Sequence, residues 1–299
     1  MRATRVVDDY LFAWVVLSVV AGALFPGFGV ITRFSTPILA VMVGSVSLTL
    51  STSQFRAVDR SSLARILAAH VAVPLVGFAL ARGFGLPPGP TAGFVLLGAV
   101  TPELVAPTMT HLADGDTALA ATALVVIGIG STLFAPAAVA VLLGPTVDVE
   151  GWRIAESLLV AVVVPMVAAV AVRTRGGARV ARYDEYYSSV SAVAVVVIIG
   201  GVTAANAELV RANADLLARV GAGALALNLV GYALGWYVSR GAPTSVRIAS
   251  ALSVGTRDFA VAAALVTAAG FPPAAALPAV LFGVVEMATG ALLARRFSA

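Results

Sequence analysis

The chain has no cysteine and no lysine, and it carries little charge of either sign. The absence of cysteine among its 299 residues excludes a disulfide framework and a thiolate metal site. All 19 basic residues are arginine, and they lie between apolar stretches rather than in one patch, which argues against nucleic acid as a partner. Charged residues make up 11% of the chain. A soluble domain normally carries about a quarter of its residues as charges, so the composition points away from that class.

The chain is rich in long apolar runs. Hydrophobic residues make up 60% of it, and its mean hydropathy is +0.99. Ten apolar segments lie near the length of about 17–25 residues that spans a bilayer. Only helices and closed barrels satisfy the backbone in lipid, and these runs lack the alternation of barrel strands. The sequence therefore predicts an all-α polytopic protein, integral to the cell membrane, with segments at 10–27, 30–50, 63–82, 90–112, 117–143, 153–173, 187–207, 216–238, 246–269 and 273–294.

The arginines predict the orientation of these segments. If the N-terminus is cytoplasmic, thirteen arginines fall on the cytoplasmic side, five fall on the opposite side, and Arg257 lies inside the membrane. Because cytoplasmic loops carry an excess of basic residues, both termini are predicted to be cytoplasmic.

The two halves of the chain resemble each other. Residues 63–81 and 217–235 are identical at ten of nineteen positions, at an offset of 154. An offset of 155 aligns Thr101-Pro102-Glu103 with Thr256-Arg257-Asp258. Since each half contains five segments, an odd number, the second half must be inverted relative to the first. We therefore divide the chain into two five-helix repeats, 1–150 and 151–299. Inverted repeats are typical of secondary transporters, which bind their cargo between the repeats.

The fourth and ninth segments are predicted to be broken and to cross. Pro102 and Pro107 lie five residues apart in the fourth segment, and proline removes a backbone hydrogen bond from a helix. The ninth segment has no proline but contains the polar, glycine-bearing stretch 253–258. If both helices break, the ends of their halves direct partial charges at one central point. The alternative is two kinked helices whose polar residues form only a structural salt bridge.

Ionisable and hydroxyl side chains within these apolar segments mark the candidate site. A charged residue at membrane depth costs about 2.5–3.5 kcal/mol on insertion scales, so each calls for a functional interpretation. Arg257 is predicted as the central cation, anchoring an anionic substrate or replacing a bound cation, with Glu103 and Asp258 as flanking acids. The candidate substrate- or ion-binding residues are His70, Thr101, Glu103, Ser131, Thr132, Ser253, Thr256, Arg257, Asp258 and Glu286.

The charge count within this site favours a role for protons. Glu103, Asp258 and Glu286 face one fixed positive charge, Arg257, or two if His70 is charged. Three ionised acids against one cation would leave a net charge of −2 near the hydrocarbon centre, which is costly. Arg257 is expected to hold Asp258 or Glu103 ionised, and at least one other acid is expected to be protonated. This predicts proton-linked exchange or symport.

The chain resembles the bile acid:sodium symporter family over essentially its full length. The resemblance lies in residues 98–119 with Leu133-Phe134-Ala135-Pro136 in the first half, and in residues 251–255 and 281–294 in the second. It implies ten helices in two inverted repeats, with unwound, crossing helices four and nine and with core and panel subdomains drawn from both repeats. It also implies sodium-driven transport of organic anions.

The chain departs from the family where sodium would bind. The family's Gly-Gly-Thr-Ala-Ser-Asn stretch is represented by residues 102–107, whose Ala106-Pro107 offers no side-chain oxygen. At the ninth helix the family's Glu-Val-Gly-Met-Gln-Asn is represented by residues 253–258, so Ser253 replaces a glutamate and Arg257 a glutamine. A guanidinium repels a cation. Bound Na⁺ is therefore doubtful, and no other cofactor or metal is indicated.

We interpret the chain as a secondary active transporter of a small organic anion, proton-coupled or ion-independent, and not an enzyme. One alternative keeps sodium coupling through backbone carbonyls together with Ser131, Thr132, Glu103 and Asp258. Another, from a different class, is a membrane sensor or scaffold that has lost transport. A related family that exports arsenite carries a cysteine at its site, which this chain lacks. The substrate's identity and the oligomeric state are left open by the sequence.

Overall fold

The computed structural model of the chain describes residues 10–50, 58–147 and 149–297. Within these residues every regular element is a helix. In chain order the α-helices are α1 (Leu11–Leu24), α2 (Ser35–Ser47), α3 (Arg60–Gly83), α4 (Pro88–Ala99), α5 (Ala106–Leu112), α6 (Thr117–Leu143), α7 (Gly151–Leu158), α8 (Val164–Gly176), α9 (Ala178–Ala181), α10 (Asp184–Ala205), α11 (Ala207–Ala212), α12 (Ala214–Val238), α13 (Thr244–Gly255), α14 (Phe259–Ala268) and α15 (Leu277–Phe297). Short 3₁₀ helices at Pro26–Phe34, Gly144–Thr146 and Pro273–Ala276 and a π-helical turn at Leu159–Val163 complete the set.

Eight helical stretches of the described residues are long and apolar enough to cross a membrane. They correspond to all the predicted segments except the first and the fourth. The first, α1, is apolar but only 14 residues long, and the fourth is divided into α4 and α5. The all-helical, polytopic prediction is confirmed. The count of ten spans and the inverted relation of the two halves stay predictions.

Aspartate side chains cap the N-termini of three of the helices. Asp59 accepts the N–H groups of Ser61 and Ser62 at the start of α3. Asp116 accepts the N–H of Leu119 at 2.9 Å at the start of α6, and Asp258 accepts the N–H of Val261 at 2.8 Å at the start of α14. An N-terminal aspartate satisfies backbone donors that have no partner within the helix. Residue 258 is therefore where the chain resumes helical structure after a break.

The interrupted helices lie in the interior of the molecule. All residues of α4 from Pro90 to Ala99 are buried, as are those of α14 from Phe259 to Val266. Small residues allow this close packing, as is usual between membrane helices. A Cβ added at Gly98 would lie 2.8 Å from the backbone of Pro74 in α3, and one at Gly235 would lie 2.2 Å from the carbonyl oxygen of Ser250 in α13. The breaks are thus shielded from lipid, as irregular backbone at membrane depth must be.

Candidate functional site

The two interruptions meet in the interior. The first lies between α4 and α5 at residues 100–105, and the second lies between α13 and α14 at residues 256–258. The backbone N–H of Asp258 donates a hydrogen bond of 3.0 Å to the carbonyl oxygen of Thr101. Backbone groups released by one break are therefore satisfied by the other.

Prolines determine the first break. Val100 is extended (φ −76°, ψ 171°), and Thr101 precedes Pro102, a position at which helical backbone is disfavoured. Pro107 lies in the first turn of α5, where its missing N–H removes no helical hydrogen bond. The unwound stretch that the two prolines predict is therefore present between α4 and α5.

Glycine and asparagine shape the second break. A Cβ added at Gly255 would lie 2.1 Å from the ring of Tyr232, so the end of α13 packs directly against that aromatic side chain in α12. The side chain of Asn228, also in α12, donates to the carbonyl oxygen of Gly255 at 3.1 Å and accepts from Thr289 at 2.7 Å. The last carbonyl of α13 is thus satisfied by a neighbouring helix.

Arg257 occupies the centre of this break and is 1% exposed. One of its guanidinium nitrogens, Nη2, donates to the carbonyl oxygen of Val254 at 2.8 Å, and the other, Nη1, contacts Nδ1 of His70 in α3. The positive charge therefore lies at the C-terminal end of α13, where the helix dipole and the free carbonyls are negative. A cation at this place compensates the end of a broken helix.

The contact with Arg257 fixes the state of His70. A guanidinium has only hydrogen-bond donors, so Nδ1 of His70 must be the acceptor and carries no proton. His70 is therefore neutral. The centroid of its ring lies 5.4 Å from the centroid of the Phe134 ring. The sequence left one or two positive charges in the site, depending on His70. The geometry supports a single positive charge, that of Arg257.

The sequence predicts Glu103 and Asp258 as acids that flank Arg257, and neither has a hydrogen bond to its guanidinium in the described part of the chain. Among the residues that the structure describes, no carboxylate forms an ion pair with the guanidinium. Asp258 directs one oxygen to Val261, and its Oδ2 has no described partner. The acid that contacts residue 257 is instead Glu286, whose Oε2 accepts the backbone N–H of Arg257 at 3.0 Å.

The predicted hydroxyl groups mostly bond to carbonyl oxygens of helices. Thr256, just after α13, donates to Leu252 in that helix at 2.8 Å, and Ser131 donates to Gly128 within α6 at 2.8 Å. Thr101 reaches the carbonyl oxygen of Leu124 in α6 at 3.4 Å. Ser253 and Thr132 have no hydrogen-bond partner among the described residues. The structure thus brings Thr101, Arg257, Asp258, His70 and Glu286 together, whereas the serines and Thr132 form no common cluster with them by hydrogen bonds.

A cavity of about 440 Å³ lies beside the breaks. Glu103 and Glu286 line it, together with apolar walls that include Leu11, Val46 and Phe259. Its other polar lining comes from Thr108, Ser188 and Ser191, which were not predicted from the sequence. A signal was present for the serines, because Ser188, Ser189 and Ser191 lie close together at the start of the apolar run of α10.

The described residues form no evident metal centre. No group of three or more histidine, aspartate or glutamate side chains among them is placed to hold a metal ion. What the arrangement offers is an interior cavity bounded by two buried acids, next to a fixed cation in a broken helix.

An all-helical membrane protein with interrupted helices meeting beside an interior cavity has the architecture of a membrane transporter. A sequence model of the Sodium Bile acid symporter family matches residues 36–213. The chain belongs to that family, and it is a transporter rather than an enzyme.

Two curated relatives agree with this assignment. The chain is 29% identical over 297 residues to the uncharacterized sodium-dependent transporter YocS of Bacillus subtilis (strain 168), covering 95% of this chain and 89% of that protein. It is 34% identical over 100 residues to the probable sodium/metabolite cotransporter BASS3, chloroplastic, of Oryza sativa subsp. japonica, covering 33% of this chain and 24% of the relative.

Proposed function

We propose that the protein is a secondary active transporter that moves a small organic anion by alternating access, with Arg257 in place of a bound sodium ion. The observation that carries this proposal is the position of the guanidinium, which donates to Val254 at the C-terminal end of α13 and is 1% exposed. A bound cation at a helix break would supply charge to the same carbonyl ends. A guanidinium supplies that charge without dissociating.

The proposed architecture is ten membrane spans in two inverted repeats, 1–150 and 151–299, with both termini cytoplasmic. Counting α4 with α5 and α13 with α14 as single broken spans, and α1 as a short first span, gives this number. The positions of the two breaks support the repeat, because residues 100–105 correspond at the offset of 155 to residues 255–260, which contain the second break at 256–258. Core and panel subdomains drawn from both halves would then move relative to each other.

The proposed coupling ion is the proton. With His70 neutral, the three buried acids Glu103, Asp258 and Glu286 have only Arg257 to balance them. Full ionisation of all three would place uncompensated charge in the interior, which is strongly unfavourable. Glu103 is the candidate carrier, because its Oε2 has no partner among the described residues and it lines the cavity.

Sodium coupling is the main competing proposal, and the names of both relatives favour it. It would need oxygen ligands from Ser131, Thr132, Glu103, Asp258 and backbone carbonyls. Ser131 donates its hydroxyl proton within α6, which leaves its oxygen lone pairs available, but Ala106 and Pro107 offer no side-chain oxygen. A non-transporting sensor or scaffold is the alternative from another class.

Reconstitution into liposomes tests the proposal. Uptake of a panel of labelled carboxylates is measured under a sodium gradient, a proton gradient or neither. We expect uptake that responds to the proton gradient and is unchanged when potassium replaces sodium. Strong dependence on sodium would support the competing proposal, and no uptake of any solute under any gradient would favour the non-transporter.

A substitution of Glu103 tests the coupling separately. Glu103→Gln keeps the size of the side chain but removes the group that takes up a proton. We expect the variant to fold normally and the pH dependence of its uptake to flatten. An unchanged pH profile would exclude Glu103 as the carrier and direct attention to Glu286, which faces the same cavity.

A further inference from the structure

The cavity beside the breaks has a charge that an organic anion alone does not explain. Its described lining contains the acidic residues Glu103 and Glu286 and no basic side chain. Arg257 is not part of that lining, because its guanidinium is directed to His70 and Val254. A carboxyl group set in low-dielectric walls gives up its proton only where another positive charge takes the proton's place. A cationic group in the cavity can take that place.

One carboxyl oxygen of Glu103 has no hydrogen-bond donor among the described residues. The residue is 8% exposed, and its Oε2 has no hydrogen-bond partner in the described part of the chain. Leaving a buried acceptor unsatisfied costs about 1–3 kcal/mol, and more for a charged group. An ionised carboxylate oxygen only accepts hydrogen bonds. This oxygen is itself shielded from solvent, and Glu103 lines the cavity, so a donor bound in the cavity can reach it once the carboxyl group rotates.

The size and walls of the cavity indicate an organic donor. A volume of about 440 Å³ lies within the range of small-molecule sites, about 300–1,000 Å³, and far exceeds the space that one ion needs. Leu11, Val46 and Phe259 provide apolar surface against which carbon atoms can pack. No group of three acids or histidines among the described residues is placed to complete a metal site.

We infer that this cavity binds organic solutes through an alkylammonium group, which lies between Glu103 and Glu286 while the carbon skeleton packs on the apolar walls. The inference deepens the proposed function, because it adds an ammonium group to the chemistry of the transported solute. The group belongs either to an amino acid, whose carboxylate agrees with the proposed organic anion, or to a simple amine, in which case the site is kept and the solute bound there is not an anion. When the ammonium binds, the proton on Glu103 leaves to solvent, and the positive charge at the carboxylate is conserved.

Binding to the purified full-length protein tests the inference. Labelled hexylamine is added in detergent and in a potassium buffer free of other amines, and unlabelled hexylamine, hexanoate, hexanol and 6-aminohexanoate are compared as competitors. We expect saturable binding that hexanoate and hexanol displace poorly. Competition by 6-aminohexanoate assigns the site to amino acids, and its failure assigns the site to simple amines. No saturable binding, or displacement by hexanoate or hexanol as effective as by hexylamine, would overturn the inference.

Substitutions locate the binding. Glu103→Gln should weaken hexylamine binding by at least about tenfold, because it removes one charge of a buried pair. Glu286→Gln, which keeps an acceptor for the N–H of Arg257, should weaken it as well and serves if the first variant does not fold. Glu150→Gln is the matched control, since Glu150 lies outside the cavity and bonds to Trp152 and Arg153. Wild-type affinity in both cavity variants would also overturn the inference.

The two proposals fail in different ways. Proton-driven uptake of hexanoate into liposomes without any hexylamine binding would leave the transporter intact and reject the ammonium site. Hexylamine binding that depends on Glu103, without uptake of any solute, would keep the site and reject transport.

Discussion

Arg257 is nearly fully enclosed, and the described partners of its guanidinium are neutral: the unprotonated nitrogen of His70 and the carbonyl oxygen of Val254. An isolated charge in this position would be costly without the dipole and carbonyls at the end of α13. If the guanidinium replaces a cation, removing the charge should reopen the site to one. Arg257→Gln, which supplies an amide oxygen, should therefore make uptake partly dependent on sodium, as measured in liposomes with sodium or potassium outside.

Arg257→Lys is the control for this prediction. Lysine keeps the charge but loses the forked geometry of the guanidinium, so uptake should weaken while staying indifferent to sodium. The interpretation of Arg257 as a built-in cation would be wrong if the wild type already required sodium, or if the Gln and Lys variants responded to sodium alike.

The residues of this site were predictable to different extents. Arg257 and Glu103 could be singled out because a charge in an apolar segment is conspicuous in the sequence. The contact between Arg257 and His70 could not, because it joins residues 187 positions apart in helices that carry no pairing signal. The hydrogen-bond partners of the carboxylates could not be predicted from the sequence either. Asp258 caps α14 instead of pairing with its neighbour, since that helix start has backbone donors without other partners.

At the scale of a helix, Asp59 gives a prediction about how stability depends on pH. It caps α3 outside the membrane-spanning segments. Hydrogen bonds from Ser61, and then from Ser62, lower the pKa of its carboxyl below the ordinary value of 3.8. The folded protein thus favours the ionised form. The resulting stabilisation is fully present above 3.8 and is lost as the pH falls towards the lowered pKa.

Asp59→Asn isolates this effect, because asparagine caps a helix without a charge. The wild type should have a higher Tm than the variant near neutral pH, and the difference should shrink as the pH falls below 3.8. Thermal unfolding in detergent across this range measures it. A difference in Tm that is constant over the whole range would show that the charge of Asp59 contributes nothing.

Close helix packing gives a second prediction for the elements. A Cβ added at Gly93 in α4 would lie 2.0 Å from the carbonyl oxygen of Ala275, so the helix could keep its place only by displacing backbone. Gly93→Ala should therefore destabilise the protein by about 1–3 kcal/mol, the usual cost of overpacking. Gly221→Ala in α12 is the matched control, because no atom lies within 4 Å of its added Cβ. It should be neutral or slightly stabilising, since alanine favours helix.

The apparent Tm of both glycine variants in detergent decides this prediction. Equal values for Gly93→Ala and Gly221→Ala would mean that α4 does not approach residues 273–276 as closely as described. The sequence could predict where α4 stops, from its prolines, but not which glycines face another backbone. In a chain with 28 glycines, the contact partner and not the residue type distinguishes Gly93 from Gly221.

For the whole molecule, the question is which membrane face the cavity opens to. Its lining includes Leu112, at the last residue of α5, and Ser188, in the second turn of α10. Both helix ends fall on the side to which the arginine distribution assigns the cytoplasm, and Ser188 follows the arginine-rich residues 173–182 along the chain. We therefore expect that the structure represents a state open to the cytoplasm.

Because the natural chain contains no cysteine, single cysteines can test this accessibility without any background. Ser188→Cys in the cavity should react with a membrane-impermeant maleimide from the same face as Ala178→Cys, and not from the face that labels Ala212→Cys. Ala178 and Ala212 are both exposed, and they lie in α9 and α11, short helices at opposite ends of α10. Labelling of right-side-out and inside-out vesicles measures the sidedness. A transported solute should slow the labelling of Ser188→Cys alone, because only that cysteine lies in the cavity.

If Ser188→Cys instead reacted from the face of Ala212→Cys, the proposed orientation would be wrong. If Ala178→Cys and Ala212→Cys reacted from one face, the span of α10 would be wrong.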